Sequence, residues 1–147
     1  MFNALNISVL YYLIAAGIGV NVGCWRKDWV RGVFAAYLFF VLAGTVLIRK
    51  PGVVRYELTP FWSWKDPLLF DQIIANILMF IPIGILLEKK ICWKSIPVAT
   101  SISLLIELTQ LITSRGLFEF DDVIHNTLGA VIGFGICILL RRIKYDI

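Results

Sequence analysis

The sequence predicts an all-α membrane protein, a polytopic bundle of about five transmembrane helices. Its 147 residues are 59% hydrophobic and only 16% charged, whereas a soluble domain carries about 25% charged residues. Long stretches contain no Asp, Glu, Lys or Arg, and a helix needs about 20 mainly apolar residues to cross the hydrocarbon core of a bilayer. The same composition excludes intrinsic disorder, which requires low hydrophobicity and high net charge.

Five apolar segments have the length of membrane helices, and we number them spans 1 to 5: residues 5–23, 31–48, 70–87, 95–113 and 122–140. Membrane β-strands need only about 9 to 11 residues, so these lengths favour helices. Span 1 lacks the basic segment that precedes the apolar run of a signal peptide, and we expect it to remain as a helix. We expect a single membrane domain over residues 1–147.

Lys and Arg residues are distributed unevenly between the two sides of this predicted bundle. Of the 14, nine lie in the connection from span 1 to 2, in that from span 3 to 4, or after span 5. Basic residues concentrate in cytoplasmic loops, so the N-terminus is predicted outside and the C-terminus in the cytoplasm. Since the three cysteines lie toward the reducing side, we expect no disulfide. This placement of charge gives no reason to expect a nucleic-acid partner.

Polar residues in spans 3 to 5 are the main functional signal. In the predicted orientation they all lie toward the outer ends of their helices, which indicates one hydrated pocket open to the extracytoplasmic face. Glu107 and Gln110 share a helix face, and Asp122 and Asn126 are one turn apart. The candidate ligand-binding and catalytic residues are Asp71, Asn76, Glu107, Gln110, Arg115, Asp121, Asp122 and Asn126.

Glu107 is the most informative candidate, because a carboxylic acid at mid-helix costs roughly 2.5 to 3.5 kcal/mol in a bilayer and less near a helix end. One interpretation is a structural ion pair with Arg115 that holds the turn between spans 4 and 5. The other is a functional carboxylate that serves as a base, a proton site or a ligand contact. In an enzyme, Glu107 and Asp122 would form a catalytic acid–base pair.

Span 5 carries further local signals. Acidic residues are favoured at helix N-termini, so Asp121 is expected to cap this helix. The Gly129-x-x-x-Gly133 pattern predicts close contact with another helix, whereas Gly19 in span 1 is expected to tolerate a large side chain better. His125 has no second His or Cys nearby, so we expect no metal site.

The connection over residues 49–69 is unusually aromatic, with Phe61, Trp62 and Trp64 close together. Aromatic side chains of this kind often anchor a segment at the membrane interface. The alternative is a lid that contacts a ligand above the helices. The sequence leaves both interpretations open.

Three motifs carry a family resemblance. The segments NILMFIPIG at 76–84, LIELTQL at 105–111 and FDDVIHNTLG at 120–129, with Arg115 between the last two, are similar to those of the VanZ-like family of bacterial membrane proteins. The resemblance covers residues 55–140. It implies a role in the envelope of a Gram-positive-type bacterium, because the namesake of the family is associated with resistance to the glycopeptide teicoplanin. It implies neither a reaction nor a cofactor, and we expect no cofactor.

Three functions are compatible with these residues. The first is a multi-pass protein of the cell membrane, surrounded by membrane lipids, whose pocket engages a lipid-linked cell-wall precursor or a peptidoglycan-derived group. The second is a membrane-embedded acid–base enzyme that acts on a lipid or peptide. The third is a small transporter, which the absence of a detectable internal repeat disfavours. The sequence does not specify the oligomeric state.

The predicted orientation can be tested by thiol labelling. A cysteine introduced in the turn 113–121 should react with a membrane-impermeant maleimide added to intact cells, whereas the native Cys92 should not. The uneven distribution of basic residues is the physical reason. Protection of the turn together with labelling of Cys92 would reverse the orientation and place the pocket on the cytoplasmic side.

Overall fold

The structure is a computed structural model that describes residues 4–52, 55–91 and 94–145. Its five helices confirm the all-α polytopic bundle and coincide with the five predicted spans. They are α1 (Ala4–Arg26), α2 (Trp29–Leu42), α3 (Phe70–Ile91), α4 (Ser95–Thr113) and α5 (Phe120–Tyr145).

Within the described ranges, four helical segments are long and apolar enough to cross a membrane: Trp29–Leu47, Pro67–Glu88, Ser95–Thr113 and Phe120–Ile143. Within α1, a shorter apolar stretch covers Leu13–Trp25. Cys92, on which the labelling experiment depends, lies outside the described residues. The orientation of the bundle stays a prediction.

The chain divides into two compact units, Met1–Ile48 and Arg49–Ile147, and the single membrane domain stays a prediction. In the first unit, α1 packs against α2, which continues into a π-helical segment over Ala43–Leu47. A Cβ atom at Gly19 would approach the Ala36 side chain to 2.9 Å and the Gly32 carbonyl oxygen to 3.1 Å. Gly19 therefore also sits at a helix contact, but a Cβ atom there overlaps its neighbours less than one at Gly129 or Gly133 would. The milder effect expected of a large side chain at Gly19 stays a prediction.

In the second unit, α5 packs on α3 through the predicted glycine pattern. A Cβ atom at Gly129 would overlap the carbonyl oxygen of Ile77, and one at Gly133 would overlap that of Ile81. The two backbones thus approach as closely as they do only because these positions have no side chain.

Helix α4 packs against α5 through polar as well as apolar contacts. The Asn126 Nδ2 donates to Ser103 Oγ at 2.9 Å, and the hydroxyls of Thr100 and Thr127 are 3.0 Å apart. Hydrogen bonds between helices satisfy polar groups where lipid offers no partner. These contacts join the first half of α4 to the first part of α5.

Two short strands, which the sequence did not predict, complete the second unit. Strand β1 (Arg55–Glu57) pairs in parallel with β2 (Leu117–Glu119), and Glu57 lies opposite Glu119. After β1, two 3-10 turns over Ser63–Lys65 and Pro67–Leu69 lead into α3. The aromatic connection is therefore folded against the segment between α4 and α5.

The α3–α5 contact makes a specific mutational prediction. Gly133→Ala should lower the thermal unfolding temperature in detergent, because overpacking of this kind costs about 1–3 kcal/mol. Gly135→Ala is the matched control on the same helix, since a Cβ atom there meets nothing within 4 Å. Equal unfolding temperatures for the two variants would contradict the packing role of Gly133.

Candidate functional site

Three acidic side chains meet where α3 begins, α4 ends and α5 begins, and we call Glu107, Glu119 and Asp122 the acidic cluster. Glu107 is only 2% exposed, and its Oε2 accepts the backbone N–H of Glu119 at 3.2 Å. Its carboxyl group interacts electrostatically with those of Asp122 and Glu119, and Arg49 provides a compensating positive charge. The turn between α4 and α5 thus folds back onto Glu107.

The carboxyl groups of Glu119 and Asp122 are close enough to share a hydrogen bond. Such a bond requires one of the two to carry a proton. Burial raises the pKa of Glu119 from its ordinary 4.5 to about 7, and the charge of Asp122 acts in the same direction. Gln72 Nε2 donates to Glu119 Oε2 at 2.9 Å, so α3 contributes a hydrogen bond to the cluster.

Asp121 is fully buried, and its carboxylate faces the aromatic connection. Oδ1 accepts the backbone N–H of Phe61 at 2.6 Å, while Oδ2 accepts the N–H of Ser63 at 3.0 Å and its hydroxyl at 2.5 Å. The expectation that Asp121 caps its own helix is therefore wrong. Helix α5 already begins at Phe120, so Asp121 lies within the first turn and its carboxylate satisfies the donors of another segment.

Trp64 and His125 form a second contact between the aromatic connection and α5. Trp64 Nε1 donates to His125 Nε2 at 2.7 Å, and the two rings stack with centroids 6.1 Å apart. An imidazole that accepts at Nε2 is neutral and carries its proton on Nδ1. That Nδ1 is buried and has no hydrogen-bond partner in the described part of the chain.

Of the predicted site residues, the structure brings Glu107 and Asp122 together in the acidic cluster. Asn126 is 2% exposed and lies one turn beyond Asp122; its Oδ1 is buried with no hydrogen-bond partner among the described residues. Asp121 is next to Asp122 in sequence, but its carboxylate faces the aromatic connection. Their functional roles stay predictions.

The other predicted residues surround this centre or lie away from it. Gln110 is buried, and Arg115 Nη1 donates to the backbone carbonyl of Arg49 at 3.0 Å. Asn76 is half-buried, and its Nδ2 has no hydrogen-bond partner within the described ranges. Asp71, in the first turn of α3, is exposed.

The arrangement is suited to accepting hydrogen bonds and to moving protons. Glu119 is outside the membrane-spanning helices and titrates near neutral pH, beside two further carboxyl groups. When neighbouring carboxyl groups have unequal environments, their pKa values differ, and one group can act as an acid while another acts as a base. Across the described residues, no group of three or more His, Cys, Asp or Glu side chains is arranged to hold a metal ion.

Sequence comparisons connect this geometry with a known family. A sequence model of the VanZ/LLP1 family matches residues 32–141. The chain belongs to the VanZ/LLP1 family. Protein VanZ of Enterococcus faecium is 35% identical over 116 residues, which cover 70% of this chain and 70% of that protein. No solved structure matches the chain. The resemblance carried by the motifs is confirmed, and the matched VanZ/LLP1 region includes all of the acidic cluster.

Sequence reasoning about this VanZ/LLP1 chain missed Gln72, Glu119 and Arg49. The helical period could have indicated Gln72, which is four residues before Asn76 and therefore lies on the same face of the helix. Asp71 is five residues before Asn76 and lies on a different face. Glu119 and Arg49 lie in connections, where no helical period indicates direction, and their positions depend on how residues 49–69 fold.

The raised pKa of Glu119 predicts how stability depends on pH. Between pH 4.5 and 7 the native protein binds more protons at Glu119 than the unfolded chain does, so the free energy of unfolding should fall as pH rises through this window. Glu119→Gln should remove this part of the pH dependence, measured as thermal unfolding temperature in detergent.

Glu57→Gln is the control for this measurement. Glu57 lies in the neighbouring strand, and hydrogen bonds from Thr59 lower the pKa of this exposed carboxylate. Its replacement should leave the slope between pH 4.5 and 7 unchanged. An equal slope in the wild type and Glu119→Gln would show that Glu119 is not protonated preferentially in the native state.

Proposed function

We propose that this protein is a multi-pass protein of the bacterial cell membrane whose acidic cluster engages the polar head of a lipid-linked cell-wall precursor or a peptidoglycan-derived group. Through this contact it would contribute to resistance against teicoplanin-type glycopeptides or to envelope homeostasis. Membership of the VanZ/LLP1 family supports the envelope setting. The observation that carries the proposal is the burial of Glu107 beside the hydrogen-bonded Glu119 and Asp122.

Buried carboxylates need hydrogen-bond donors, because desolvation is costly for a charge that has no partner. Inside the protein, the acidic cluster receives one backbone N–H, one amide from Gln72 and the positive charge of Arg49. Each carboxylate offers about four acceptor positions. Hydroxyl and amino groups of a saccharide or peptide would supply the donors that remain, and the vacant Oδ1 of Asn126 would accept another.

The predicted orientation puts the acidic cluster on the side of the membrane where this ligand occurs. With the N-terminus outside, the beginning of α3, the end of α4 and the beginning of α5 all lie at the extracytoplasmic face. Peptidoglycan and its lipid-linked precursors are present at this face. The thiol-labelling experiment described above therefore tests a requirement of the proposed function as well as the orientation.

A membrane-embedded acid–base enzyme is the second candidate, and the protonation of Glu119 favours it. A carboxylic acid with a pKa of about 7 is suited to donate a proton at physiological pH. Glu107 and Asp122 would then be the bases available to a lipid or peptide substrate. Mass spectrometry of cell-wall lipid precursors incubated with the purified protein separates the two candidates, since an enzyme changes the mass of the lipid and a binding protein only retains it.

The role of Glu107 is tested by Glu107→Gln, which keeps the shape of the side chain and removes its charge. If the carboxylate engages a ligand, the variant should remain stable in detergent and should lose precursor retention and any teicoplanin resistance in a susceptible host. Asp122→Asn should behave in the same way. Glu57→Gln, a carboxylate outside the cluster, should retain wild-type function.

The competing explanation is an ion pair between Glu107 and Arg115. In that case Glu107→Gln should lower the unfolding temperature, because it leaves a partly buried cation without its partner. Arg115→Met in the same chain should restore stability. A stable double variant with full precursor retention would refute the functional role of Glu107 and leave only the structural one.

A further inference from the structure

An open apolar groove of about 220 Å³ runs along the seam between α3 and α5, close to the acidic cluster. Its walls carry no charged side chain. It is lined by Trp64, Phe70, Ile73, Ile74, Ile77 and Leu128. Apart from Trp64, all of these residues belong to segments that are apolar enough to cross a membrane.

The groove is a consequence of the glycine contact between the two helices. Gly129 lies directly against the backbone of Ile77, so no side chain fills the seam at this level. Leu128, the preceding residue, lines the groove from the α5 side, while Ile74 and Ile77 line it from α3. The depression is therefore part of the helix packing.

The groove and the acidic cluster adjoin each other on α3. There Gln72 donates to Glu119, while the next residue, Ile73, lines the groove. Trp64 also lines the groove, and its Nε1 donates to His125, which lies one helical turn from Asp122 on α5. A molecule that occupies both regions would have an apolar part and a polar part joined near Trp64.

The chemistry of the two regions defines that molecule. A groove that has only apolar walls and lies between two helices apolar enough to cross a membrane is suited to a hydrocarbon chain. A groove of this volume provides space for one hydrocarbon chain, which disfavours the common diacyl phospholipids. The carboxyl groups of the acidic cluster can accept hydrogen bonds from hydroxyl or amino groups, which favours a saccharide head.

We infer that the α3–α5 groove binds the hydrocarbon chain of a single-chain amphiphile whose saccharide head occupies the acidic cluster. This inference rests on the proposed function and specifies its ligand class, to which lipid-linked saccharides belong. Trp64 would then pack against the junction between chain and head, as aromatic rings commonly do with sugars and lipids at membrane interfaces.

Photo-crosslinking in lipid nanodiscs tests this inference with two probes. The first is an alkyl maltoside that carries a diazirine on its chain, and the second is phosphatidylglycerol with the same diazirine on one acyl chain. The maltoside should label the groove residues, located by mass spectrometry of peptides. Phosphatidylglycerol should label exposed apolar residues throughout α3, α4 and α5 without preference for the groove.

Leu128→Trp, which fills the groove, should reduce maltoside labelling there roughly tenfold, an effect on binding that corresponds to about 1.4 kcal/mol. Leu139→Trp is the matched control, because Leu139 is 59% exposed on the same helix and does not line the groove. Ile74→Trp serves as a second groove-filling variant if Leu128→Trp is not monodisperse. Uniform labelling by the maltoside, or labelling that neither groove variant reduces, would overturn the inference.

Failure of this inference is distinguishable from failure of the proposed function. If the protein retains lipid-linked precursor but the groove is not labelled preferentially, the groove is not a binding site, while the proposed role of the acidic cluster still holds. If the maltoside labels the groove specifically but no cell-wall precursor is retained, the groove binds an amphiphile, while the proposed cell-wall ligand is wrong.

Discussion

The close approach of the α3 and α5 backbones is the contact on which the rest of the second unit depends. Gly129 lies on Ile77, and in the reverse direction Gly84 lies on Ala130. Apolar side chains gain little from each other in a bilayer, so short backbone distances and van der Waals contact provide the association. This distance also determines how far Gln72 must reach to bond with Glu119. The same absence of side chains that holds the helices together thus positions the polar site and leaves the groove beside it.

The polar site in turn joins parts of the chain that the helix contact alone would not hold. Glu107 at the end of α4 accepts the backbone N–H of Glu119, and Glu119 shares a hydrogen bond with Asp122 at the beginning of α5. A buried carboxyl that keeps its proton avoids most of the desolvation cost of a charge. The cluster is therefore compatible with the interior of the protein and stays able to exchange a proton.

Much of this structure could be predicted from the sequence, for physical reasons that also explain the failures. Span length and helical period depend on nearby residues, so they located the five helices and put Glu107 and Gln110 on one face of α4, where both are buried. The contacts of Asp121 and Trp64 depend on partners about 60 residues away in a connection without a period. No local rule gives the direction of such a side chain. The two three-residue strands could not be predicted either, because they pair only once the connection between α4 and α5 lies beside residues 55–57.

The contacts of α5 with α3 and with the aromatic connection differ in the cost of breaking them. At the opposite end of α3, the buried Glu88 is paired with Arg141 of α5 at 2.8 Å. Sliding of the two helices would strip a buried carboxylate of its cation and force glycine contacts apart, both of which are costly. Among the described residues, 61–64 contact α5 through hydrogen bonds at Asp121 and His125 and through ring stacking. A displacement of this aromatic segment would break those bonds and leave both the glycine contacts and the Glu88–Arg141 pair intact.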